Sequence, residues 1–228
     1  MALLTFSGID CCGKSTQIEL LMEQLKSRGN AVSYMWLRLG YTPGFQGLKS
    51  LLRRVAGKKA APAGNSPQRE RFMKQGWKRR LWLYLAIGDM FWQTAVVTRW
   101  KRSADIIVIC DRYLRDSEFD LAMNFPEDTV TRWWSWRLMS ALAARPDVAL
   151  LMDLSFEESL RRSLAKSEPF PDSEDRRRER AEMYRNSVRD GQWHVIDATR
   201  DIADIHGEIM GLVLGVDAPL VAGVGGRN

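Results

Sequence analysis

A chain of 228 residues, 45% hydrophobic and 27% charged, has the make-up of a soluble globular protein with a sizeable core. Its formal net charge of +6 favours anionic partners such as nucleotides, nucleic acid or an acidic membrane surface. Three cysteines (Cys11, Cys12, Cys110) and two histidines exclude a disulfide framework and a histidine–cysteine metal cluster, and suit a reducing cytoplasm.

In chain order, Leu3 to Phe6 reads as a buried strand that ends at Ser7-Gly8. Ile18, Leu21, Met22 and Leu25 then fall at helical spacing, and Gly29 sits where a helix-ending glycine belongs. Ala31 to Leu37 is a second predicted strand, and the Gly-, Pro- and Lys-rich stretch 57–67 is expected to be a mobile loop. Gln68 to Arg102 is expected to be mostly helical. Within it, Leu81 to Val97 carries only Asp89 as a charge, and at 17 residues it reads as a buried central helix rather than a membrane span. Ile106 to Cys110 is the strongest strand signal. A helix over Arg132 to Ala144 and a strand over Val148 to Leu154 follow. Next come an arginine-crowded helical region over Glu157 to Arg189, a strand over Trp193 to Ile196 and a helix around 202–214. The glycine-rich residues 215–228 are expected to form a disordered tail. Strands alternating with helices predict an α/β fold, a parallel sheet with helices on both faces in one domain over residues 1–214, with ligands at the strand C-terminal ends.

Gly8-Ile9-Asp10-Cys11-Cys12-Gly13-Lys14-Ser15 fits the phosphate-binding pattern G-x-x-x-x-G-K-[ST], between a strand and an amphipathic helix as that pattern requires. Glycines let the backbone wrap a phosphate, and successive N–H groups with the helix N-terminus supply positive potential. Gly8, Cys11, Cys12, Gly13, Lys14, Ser15 and Thr16 are therefore the expected ATP-binding residues, with Lys14 acting on the terminal phosphates and Ser15 as a Mg²⁺ ligand. Asp111, just past the strong strand, is the expected second magnesium residue, and Arg112 can fork onto a phosphate. There is no Asn-Lys-x-Asp guanine-reading motif, and the position after Asp111 holds arginine where a hydrolytic ATPase would carry an acid. Both features favour transfer to a bound acceptor over hydrolysis.

Phe6 to Asp10, Gly13 to Gln17 and Asp111-Arg112-Tyr113 with Ser117 resemble the thymidylate kinase family of nucleoside monophosphate kinases, and the order of the remaining elements agrees over about residues 2–212. The resemblance implies a three-layer P-loop kinase fold with an arginine-rich lid over about residues 161–180. It also implies Mg²⁺–ATP as donor, dTMP or a similar monophosphate as acceptor, and a possible homodimer. Asp10 would meet the acceptor sugar or the magnesium site. Arg38 and Arg112 would hold the acceptor phosphate, with Tyr113 beside them. From the lid cluster Arg161, Arg162, Lys166, Arg176, Arg177, Arg178 and Arg180, at least one arginine is expected to reach the transferred phosphoryl group; Arg176 is taken as the candidate, and the choice among them stays open.

The chain departs from the family where Ala86 to Phe91 holds no arginine in the central helix and Cys11 and Cys12 stand where some members carry a P-loop arginine. A modified nucleotide, a base within DNA, or a sugar or lipid phosphate therefore stays open as acceptor, as does a non-catalytic nucleotide- or nucleic-acid-binding role. Asp89 reads equally as a hydrogen-bond acceptor for substrate or as a satisfied structural residue. Trp133, Trp134 and Trp136 read as core or interface before base stacking. Cys11 and Cys12 read as filling space rather than as reactive thiols.

Overall fold

The computed structural model describes residues 1–56, 73–166 and 173–216. The 57–67 loop, most of the 215–228 tail and part of the lid stretch lie outside the described residues. Five parallel strands, β1 (Leu3–Ser7), β2 (Ala31–Trp36), β3 (Ile106–Asp111), β4 (Val148–Asp153) and β5 (His194–Asp197), are ordered β2-β3-β1-β4-β5. All-parallel pairing demands a crossover after each strand, and helices supply them: α1 (Lys14–Ser27), α2 (Pro43–Ala56), α3 (Gly76–Phe91), α4 (Thr98–Ser103), α5 (Leu114–Asn124), α6 (Trp134–Leu142), α7 (Phe156–Lys166), α8 (Glu174–Ser187) and α9 (Ile202–Val216). The predicted α/β fold with helices on both faces is the one observed.

Strand alternation assigns the two cores. Leu4 and Phe6 with Ile107 and Ile109 face α1 and α9 through Ile18, Leu21, Leu25, Ile209 and Val213. Leu3, Val108 and Cys110 face the other way, onto Leu83, Ile87 and Met90 of α3 and Trp136 and Met139 of α6. β1 lies between β3 and β4, with Phe6 opposite both Asp111 and Leu150. The phosphate motif therefore leaves the sheet beside the Asp111-Arg112 turn.

The four later strands match the sequence reading to within a residue or two at each end. The helix expected from Arg132 starts only at Trp134, after a 3₁₀ turn over Val130–Arg132. Two helices were not anticipated, α2 with its glycines and α5 with three acids. The central helix continues through a π-helical turn, Trp92–Val97, where Thr98 donates to the carbonyl of Gln93. Trp136 is a core residue, Trp133 is half-buried against the core and stacks on Tyr84 at 4.7 Å, and Trp134 is exposed.

Asp89 has a structural task. Thr42 precedes Pro43, and its hydroxyl accepts the Phe45 amide at 3.4 Å, an N-cap with proline at the first helical position. The same hydroxyl donates to the Asp89 carboxylate, which lies against Gly44: a Cβ there would sit 2.7 Å from Asp89 Oδ1. A carboxylate beside a helix N-terminus is favourable. Asp89→Ala is expected to lower stability by about 1–2 kcal/mol while leaving acceptor affinity unchanged. Urea unfolding and the acceptor KM measure the two separately.

Candidate active site

The loop from Gly8 to Gly13 is shaped by residues with left-handed backbone. Gly8 (φ +141) approaches β4 so closely that a Cβ would lie 2.7 Å from the carbonyl oxygen of Met152, and Cys11 (φ 60) and Gly13 (φ 90) complete the turn into α1. Ser159 of α7 pins the loop from outside by donating to the carbonyl of Asp10 at 2.8 Å. Inside it, Lys14 donates to the carbonyls of Gly8 (2.9 Å) and Ile9 (2.8 Å) and reaches Cys12 Sγ at 3.5 Å. The ammonium is thus held in the loop at the place from which it can meet phosphate oxygens.

The second acid follows from β3. Asp111 Oδ2 accepts from the Tyr34 hydroxyl at 3.3 Å, while its buried Oδ1 has no hydrogen-bond partner. Burial raises the Asp111 carboxyl above its usual range, against the pull of Lys14 and Arg112. Ser15, exposed at the start of α1, and Asp111 both line the same cavity, an oxygen donor set that suits Mg²⁺. Among the described residues no group of three His, Cys, Asp or Glu could hold a metal by itself. The remaining ligands would come from phosphate and water.

Arg112 adopts φ 69, a left-handed conformation uncommon for a side-chain-bearing residue, fixed by its amide donating to the carbonyl of Phe6 at 2.8 Å. That turn sends the guanidinium to Asp10, 3.0 Å away. Burial disfavours the Arg112 cation, but Asp116, Asp10 and Asp120 outweigh it and keep it charged. Arg38 pairs with Asp120 at 3.3 Å and stands over the Tyr41 ring. One cavity of about 310 Å³ joins Asp10 to Thr16 with Trp36, Arg38, Asp111 and Arg112. Except for Gly8, Tyr113 and Arg176, every site residue expected from sequence lines it.

Those last two point elsewhere. Tyr113 buries its ring and donates to the carbonyl of Ala144 at 2.7 Å. Arg176 reaches Asn124 Oδ1 at 2.6 Å. The α8 arginines turned inward are Arg177 and Arg180, each about 5% exposed or less. Burial would raise the Asp10 carboxyl, but Arg112, Lys14, Arg180 and Arg177 together hold it below its usual range. The spacing of Arg177, Arg180 and Tyr184 on one helical face was the available signal. It was hidden because arginine and glutamate alternate there like a solvated surface. No cation of the central helix lines this cavity: Arg79 pairs with Asp128 at 2.7 Å, Ala86, Ile87 and Met90 are core, and Asp89 serves α2.

The sequence model for thymidylate kinase matches residues 70–209, well over half of the chain. The chain belongs to the thymidylate kinase family. Similar relatives include a probable thymidylate kinase of Pyrococcus horikoshii, 28% identical over 92% of this chain and 94% of its own length. The thymidylate kinase of Rhodopirellula baltica is also 28% identical, over 89% of this chain and 76% of its own length. That of Plasmodium falciparum is 25% identical over 91% of this chain and 87% of its own. The family match begins after the phosphate loop, so it is independent of the Gly8-to-Thr16 motif. As a member of this kinase family the chain is a nucleotide kinase, an ATP-dependent phosphotransferase.

Because Asp10 is held ionised by its cations, its contribution to stability is present above the ordinary aspartate value of 3.8 and is lost as pH falls through the lower folded value. Asp10→Asn is expected to flatten the acid limb of a stability–pH curve below the ordinary aspartate value of 3.8, measured by urea unfolding.

Proposed function

We propose that the chain transfers the γ-phosphoryl group of Mg²⁺–ATP to the phosphate of a nucleoside monophosphate, with dTMP the first acceptor to consider because the relatives are thymidylate kinases. The carrying observation is the single cavity in which the Lys14 loop, Asp111, Arg112 and Arg38 meet. Residues 1–214 act as the kinase unit in this reading. Magnesium between Ser15, Asp111 and the triphosphate would neutralise the charge of the transferring group.

The chain's own groups do the rest. Lys14 meets the β- and γ-phosphates, Arg112 and Arg38 hold the acceptor phosphate in line, and Arg177 and Arg180 offset charge on the equatorial oxygens. The acceptor is already an oxyanion, so no residue has to remove a proton. Lys14→Ala is expected to reduce turnover at least about a hundredfold. The measurement is ADP release across dTMP, dUMP, other monophosphates, hydroxymethylated DNA and sugar phosphates. Full ATP-dependent transfer by Lys14→Ala would sink the assignment.

A second acceptor is favoured by one feature, the central helix that puts no cation into the phosphate cavity. Next to Arg38, Tyr41, Phe45, Trp82 and Phe125 form an aromatic wall, with Trp82 and Phe45 edge to face at 5.5 Å and Lys49 over both rings. An acceptor base would be read there by stacking, which tolerates more than one base. Turnover with another monophosphate and none with dTMP would select that reading.

The cysteine content supports a cytoplasmic setting, and among the described residues no helix is long and apolar enough to cross a membrane. A homodimer is supported by the exposed stripe Trp77, Leu81, Leu85, Trp92 and Val96 along the central helix. Leu85→Asp is expected to sediment with the mass of one chain where the parent sediments as a pair.

A further inference from the structure

Helices α5 and α8 meet through polar side chains at a regular interval. Asp116 pairs with Tyr184, Asp120 with Arg180 at 2.7 Å, and Asn124 with Arg176 at 2.6 Å. Residues on α5 rise by four at each step while those on α8 fall by four. The helices are therefore antiparallel, with one rung per turn. Phe119 supports the first rung, edge to face with Tyr184 at 5.0 Å.

The rungs grade from dry to wet. Asp116 is 1%, Tyr184 3%, Arg180 3% and Asp120 8% exposed, whereas the Asn124–Arg176 rung is exposed. The acidic side of the ladder is anchored to the phosphate site. Asp116 also accepts from Ser7 of β1 at 2.6 Å and from the Tyr113 amide at 2.9 Å, and Asp120 also pairs with Arg38.

We infer that these three rungs form a polar zipper that sets the height of the arginine helix over the phosphate loop, making Asp116, Asp120 and Tyr184 positioning residues for phosphoryl transfer. The inference rests on the kinase reading above. Apolar side chains of similar volume would hold two helices together at least as well, because buried ionic contacts return little net stability after desolvation. What polar rungs add is a fixed axial position. Arg180 is itself a rung and Arg177 lies one turn from it on the same helix, so the position of both guanidiniums relative to Asp10 is set by the zipper. A displacement of about 1 Å at such a site costs on the order of a hundredfold in rate. The sequence residues expected to supply the finger are thus divided: Arg176 braces the helix and Arg177 and Arg180 are presented by it.

The test uses Tyr184→Phe, which removes one hydroxyl and keeps the ring against Phe119, and Asp120→Asn, which removes one charge and keeps the shape. For each, kcat and KM are measured with ATP and the acceptor active in the parent, and amide hydrogen exchange is followed over residues 174–187. The expected result is a fall in kcat of about tenfold with both KM values within about twofold, the pattern of an interaction felt in the transition state. Exchange in 174–187 should be about tenfold faster, with β1 and α1 unchanged. Unchanged kcat in both variants would overturn the inference, as would loss of protection spread evenly over β1 and α1. A parent without transfer to any acceptor would count against the kinase reading instead, and unchanged exchange in 174–187 would then overturn the zipper by itself.

Discussion

Lys14, Arg38, Arg112, Arg177 and Arg180 converge on one edge of the sheet, and the fold has to keep them there before any phosphate arrives. Two like charges about 6 Å apart repel by roughly 3 kcal/mol at an effective dielectric near 20, so such a cluster is self-opposing. The chain answers with carboxylates at fixed places: Asp10 against Arg112, and Asp120 between Arg38 and Arg180. Lys14 is treated differently, its ammonium being held by the carbonyls of its own loop. The strained backbone at Arg112 belongs to the same solution, because an extended conformation after β3 would carry the guanidinium away from Asp10.

This balance bears directly on binding. A phosphate entering the cavity brings the charge that the carboxylates supply in its absence, so the arginines exchange partners instead of being ordered from scratch. Ordering a free arginine side chain costs on the order of 1–2 kcal/mol, and four arginines held in advance spare much of that. Asp111 stands apart. One of its oxygens is buried without a donor and its carboxyl is pushed up by burial, a cost that a cation ligand would offset.

What could be read from sequence divides along physical lines. The phosphate loop and the Asp111-Arg112 turn are local: glycine spacing, an apolar run and the next few residues determine them, and both stand where the sequence placed them. The parallel sheet was legible for the same reason, since buried strands such as Ile106 to Cys110 carry their signal in consecutive residues. Helix α5 was missed because Asp116 and Asp120 face inward, the reverse of the usual pattern. The partners that make this tolerable, Tyr184 and Arg180, lie more than fifty residues away. Helix α2 was missed for a related reason: its N-cap at Thr42 is completed by Asp89 of a different helix. Non-local pairing of polar groups leaves no periodicity to read.

The same distinction explains where the site's cations come from. A helix whose inner face is filled by Leu83, Ala86, Ile87 and Met90, and whose flanking acid caps α2, has no position left from which to send an arginine into the cavity. In the proposed reaction, charge on the transferring group is met from the opposite side, by the helix carrying Arg177 and Arg180. That moves the burden from a rigid element packed on the sheet to one held by polar contacts with α5. On the wall formed by Trp82 and its neighbours, Arg38 stands over the Tyr41 ring and Lys49 over the Phe45 and Trp82 rings. In the proposed reading an acceptor is held by its phosphate at one end and by aromatic area at the other, so shape and stacking, rather than a hydrogen-bonding arginine within Ala86 to Phe91, govern which base fits.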